Sequence, residues 1–141
     1  MILPTSTVWI DYFNGKNTPQ TEVLTRLLGS DLYIVVMGDL ILTQLLKGFR
    51  SEPDFQYASD LLLGLQVEKM LGQEIAKQSA QNYRLLRQQG ITIHKTTDLI
   101  ISTFCMVNAL TLLDTGDDFL PMVEHLGLQV LSCDEKVETL T

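Results

Sequence analysis

No run of about 18 apolar residues occurs in this 141-residue chain, which argues against a membrane-spanning helix. The start lacks a basic stretch followed by a long apolar one, so no secretion signal is expected. Only two cysteines are present, Cys105 and Cys133. They are too few and too far apart for a disulfide framework or a zinc site. These absences predict a cytoplasmic location. Cations are scarce as well: ten Lys and Arg stand against seventeen Asp and Glu, a net charge of −7. Affinity for a polyanion comes mainly from Lys and Arg neutralising phosphates, so non-specific nucleic-acid binding is disfavoured. The same balance is compatible with a nuclease that uses metal-binding carboxylates, and it would steer a basic partner toward the surface.

Apolar residues make up 45% of the chain and charged residues 19%, the mix of a globular protein with one domain and a proper core. Short apolar runs alternate with longer helical stretches, the pattern of an α/β fold around a parallel sheet. Ile2-Leu3 begins the first strand, and Val8 to Phe13 follows as a short helix ended by Asn14-Gly15. Thr21 to Leu28 buries one helical face through Val23, Leu24, Leu27 and Leu28. Tyr33 to Met37 is a β-branched buried strand, after which Asp39 is expected to cap a helix through Leu46. Ser51 with Pro53 just inside starts the next helix, which ends near Gly64. Val67 to Met70 reads as extended. Gln73 to Gln89 is the longest helix, with Ile75, Ala76, Ala80, Tyr83 and Leu86 facing inward. Thr96-Thr97-Asp98 opens an apolar helix, Leu110 to Leu113 is a strand, and Phe119 to Leu126 is a short helix. Leu128 to Leu131 is expected as a last strand, and the acidic stretch 132–141 as a mobile tail.

In an open parallel sheet, ligands bind outside the carboxyl ends of the strands. Thr5 to Thr7, Asp39 to Gln44 and Asp114 to Asp118 all follow strands, and Asp98 opens a helix. Carboxylates converging there would hold Mg²⁺ or Mn²⁺, which take oxygen ligands in octahedral geometry. Such a metal would activate water for phosphodiester cleavage.

The opening Ile2-Leu3-Pro4-Thr5-Ser6-Thr7-Val8-Trp9-Ile10 resembles the start of the VapC-like toxins, the PIN-domain ribonucleases of bacterial toxin–antitoxin pairs. Gly38-Asp39-Leu40-Ile41-Leu42-Thr43 with Gly48-Phe49 is similar to that family's second motif. Asn82 to Arg87, Gly90 to Ile93, Lys95-Thr96 and Ser102 to Cys105 are similar to its third, and Gly116-Asp117-Asp118-Phe119 to its fourth. The resemblance covers residues 1–131, taken as one PIN domain, and implies a three-layer sandwich with a central parallel sheet flanked by helices. It implies Asp98 and Asp118 as catalytic and metal-binding acids. Asp117 and Asp114, in the same loop as Asp118, are neighbours that could swing toward a metal. Three family acid positions are replaced, by Thr5, Gln44 and Gly116. Each loss weakens the grip on a hard dication, and even ~3 kcal/mol would cost over a hundredfold in rate.

The remaining polar residues have plainer readings. Asp11 and Asp39 suit capping or turn roles better than metal ligation. Asp98 and Asp118 would also suit helix starts. His94 and His125 lack a ligand spacing. Cys105 belongs to a core face, and Trp9 and Phe13 pack against the sheet or a partner. Lys47, Arg50, Arg84, Arg87 and Lys95 form no run and read as solvated surface. The expectation is therefore a VapC-like protein with a weakened Mg²⁺ or Mn²⁺ ribonuclease site. By resemblance it dimerises, binds a cognate antitoxin, and meets RNA only if active. The alternatives are a catalytically inactive module that sequesters an antitoxin or pairs with an active paralogue, and an active nuclease built on the rearranged acids.

Overall fold

Short apolar runs become strands, and the amphipathic stretches between them become helices. The computed structural model describes residues 1–133, so most of the expected tail, 134–141, lies outside the described residues. In chain order the elements are β1 (Ile2–Pro4), α1 (Ser6–Phe13), α2 (Pro19–Leu28), β2 (Val36–Gly38), α3 (Asp39–Leu46) and α4 (Glu52–Leu63). They continue with β3 (Gln66–Glu68), α5 (Gln73–Gln88), α6 (Thr96–Val107), β4 (Thr111–Leu113) and α7 (Leu120–Leu126).

All the strand pairs are parallel. β1 pairs with β4 in the register Ile2 to Thr111, Leu3 to Leu112 and Pro4 to Leu113. β2 pairs with β3, Val36 opposite Gln66. Single bridges from Ile2 to Val35 and from Leu112 to Val130 join these pairs and add an edge. The resulting order is β3-β2-β1-β4, then Val130. The chain winds outward from β1 through β2 to β3, then returns to lay β4 on the other side of β1. Right-handed crossovers therefore place α1 to α4 on one face and α5 to α7 on the other. The packing agrees: α1 meets α2 and α3, and α3 meets α4, while α5 packs on α6 and α7. The core between the layers is apolar, with Leu3, Val36, Met37, Leu112 and Leu113 completely buried.

Pro4 shapes the middle of this sheet. Ile2 donates its N–H to Ile34 O at 2.9 Å, which forms the bridge toward β2. The next N–H on that side would belong to Pro4, and proline has none. The contact between β1 and β2 stops at one bridge, and Pro4 sits at the strand's last position.

Several local expectations need correction. Helix α2 starts at Pro19 rather than Thr21, because Thr18 and Thr21 cap it reciprocally. Thr18 Oγ1 accepts from the Thr21 N–H at 3.0 Å, and Thr21 Oγ1 from the Thr18 N–H at 2.9 Å. Gly38, not Asp39, holds the cap position of α3. Asp39 is the first helical residue, and its carboxylate accepts from the Leu40 and Met70 N–H groups at 2.9 and 3.0 Å. It ties the helix start to the segment before α5. Asp11 lies inside α1 and its side chain caps nothing, since Thr5 precedes that helix. The second strand begins at Val36, later than Tyr33, and the expected last strand shrinks to the Val130 bridge.

The inward face of α5 also differs. Leu86 is buried as expected, but its buried companions are Ser79 and Asn82, while Ala76 and Ala80 are exposed. Asn82 Nδ2 donates to Thr103 Oγ1 of α6 at 3.0 Å, and the Thr103 hydroxyl donates to Leu99 O at 2.8 Å. That pairing rotates a polar residue inward and turns the alanines out. Trp9 is buried and stacks on Phe13 with ring centroids 6.2 Å apart, as part of an aromatic group with Tyr12 and Phe49. Cys105 is buried in the core, and burial pushes its thiol up to about 12.

Candidate functional site

The winding reverses between β1 and β4, so the crevice at their carboxyl ends is the sheet's switch point. Two residues meet there by register alone. Pro4 faces Leu113, which sets Thr5 beside Asp114. The Thr5 N–H donates to Leu113 O at 2.9 Å and extends the pairing by one step. The Thr5 hydroxyl then donates to Asp114 Oδ1 at 2.6 Å. Thr5 is only 4% exposed, so this bond lies at the crevice floor.

Helix α6 brings the other acid. Asp98 lies in its first turn, half-buried, with Lys95 at the cap position. Asp118 comes from the loop after β4, where Lys95 Nζ lies 3.7 Å from its Oδ2. Both of these side chains are 68% exposed, so the ion pair is a weak one. Burial raises the Asp98 carboxyl above the usual carboxylate range; Lys95 opposes the shift and Asp118 adds to it. Burial likewise raises Asp114. Hydrogen bonds from the Thr5 hydroxyl and the Thr115 backbone oppose that shift, while Asp118 and Asp98 reinforce it. Asp98, Asp114 and Asp118 therefore share one electrostatic neighbourhood.

Asp117 and Gln44 make no side-chain hydrogen bond or ion pair with these acids. Asp117 is exposed, and its backbone carbonyl accepts from the Leu120 N–H at 3.0 Å. Gln44 is half-buried on α3. Gly116 has φ of +99°, a backbone conformation that an aspartate rarely adopts. The loop there is shaped for glycine, beyond the simple loss of a carboxylate. Thr115 Oγ1, in the same loop, is buried without a hydrogen-bond partner. No group of three or more His, Cys, Asp or Glu among the described residues is arranged to hold one metal ion. His94 is exposed, and His125 lies 4.0 Å from Glu124. No described helix is long and apolar enough to cross a membrane.

Asp114 is the residue that the motif comparison undervalued, since it ranked only as a helper for Asp118. Its signal is the strand register, because the residue after β1 must meet the residue after β4 once those strands pair in parallel.

No protein-family model matches the sequence, and no curated protein matches it. Solved structures do match. VapBC2 from Rickettsia felis, bound to a DNA fragment from its promoter, aligns with a TM-score of 0.73 at 16% identity. The match covers 93% of this chain and 98% of that one. VapBC-1 from nontypeable Haemophilus influenzae aligns at 0.72 with 18% identity, over 96% of this chain and 100% of that one. FitAcB from Neisseria gonorrhoeae aligns at 0.73 with 14% identity, over the same shares. The fold is that of the VapC-like PIN domain. At these identities the likeness is one of fold, and it spans nearly the whole chain. Within the PIN fold, the described crevice is where Thr5, Asp98, Asp114 and Asp118 gather.

Proposed function

We propose that this chain is a cytoplasmic VapC-like protein of a toxin–antitoxin type whose ribonuclease site no longer holds Mg²⁺ or Mn²⁺ with useful strength. It acts through its partners: a cognate antitoxin and a second copy of itself. One observation carries this reading. Where the family pattern has an acid, Thr5 donates a hydrogen bond to Asp114 Oδ1 and occupies an oxygen that would otherwise face a cation. The lone ammonium of Lys95 beside Asp118 supports the same view, because it supplies some of the positive charge that the crevice needs. Asp98, Asp118 and Asp117 remain as the residues that any surviving cleavage would use. The solved structures with this fold are toxin–antitoxin complexes, which supports an antitoxin as the partner.

The test compares cleavage of total RNA or a tRNA mixture by the native chain and by Thr5→Asp/Gln44→Glu, with and without Gly116→Asp. Each is assayed with Mg²⁺ or Mn²⁺ and with a chelator. Cleavage by a restored version alone identifies a nuclease scaffold now used for binding. Metal-dependent cleavage by the native chain overturns the reading and makes Asp98, Asp117 and Asp118 the next residues to change.

A further inference from the structure

We draw no further inference here: the strongest candidate, the exposed apolar face of α4 formed by Tyr57 and Leu61, carries nothing because nothing in the structure shows what covers it.

Discussion

Between α5 and α6, Asn82 and Thr103 meet across 3.0 Å with both groups neutral and both buried. At the crevice, Thr5 and Asp114 meet across 2.6 Å, but one partner is a carboxylate with two more acids nearby. The first contact closes on itself: the Thr103 hydroxyl donates a hydrogen bond to Leu99 O, and Asn82 Oδ1 accepts one from Gln78 Nε2 at 3.1 Å. The second leaves negative charge with one exposed lysine to offset it. A neutral polar pair can be sealed in a core at little cost, whereas a gathering of carboxylates keeps its demand for a cation even when its geometry has been lost.

The comparison breaks most sharply at Thr5. Thr5→Asp removes the donor and sets a second buried carboxylate against Asp114, which should cost about 3 kcal/mol in chelator. Denaturant unfolding with and without Mn²⁺ measures it, and recovery with Mn²⁺ would mean that the restored acid rebuilds a metal site. Asn82→Ala should cost about 2 kcal/mol, from the lost hydrogen bond and the gap left behind, with no dependence on metal. Asp114→Asn sharpens the contrast in the opposite direction. Its Oδ1 still accepts from Thr5, while the buried charge disappears. Because the Asp114 carboxyl is raised in the folded protein, its ionised form subtracts stability at neutral pH. That penalty is relieved as pH falls through the raised value toward the ordinary 3.8. The variant should therefore melt higher than native at pH 7, and the gain should vanish near pH 4 in paired thermal melts. Lys95→Met should change stability least, by roughly 0.5 kcal/mol or less. It should raise the Asp98 titration further, because Lys95 opposes that shift, and an NMR titration reads this directly.

The same contrast separates what could be read in the sequence from what could not. Helix α6 was legible because Thr96-Thr97-Asp98 precedes a largely apolar stretch, and Leu99, Ile101, Phe104 and Cys105 are buried as that pattern implies. The parallel α/β architecture was legible from the alternation of short and long apolar segments. The inward face of α5 was not, because hydrophobicity favours Ala76 and Ala80, whereas the specific pairing of Asn82 with Thr103 sets the rotation. Asp98 and Asp118 were singled out by their motifs. Asp114 needed the pairing of strands more than a hundred residues apart, which no local pattern encodes. Gly116 looked like a missing acid until its positive φ showed a turn that only glycine adopts comfortably.

Because Pro4 leaves β1 and β2 joined by a single bridge, the sheet should open as two units. Backbone amides of β2, held to β1 at one point, should exchange with deuterated water faster than those shared by β1 and β4. Brief openings of the molecule would then begin along that seam. The Thr5–Asp114 floor lies on the β1–β4 side, so the crevice should keep its shape while the far edge of the sheet opens.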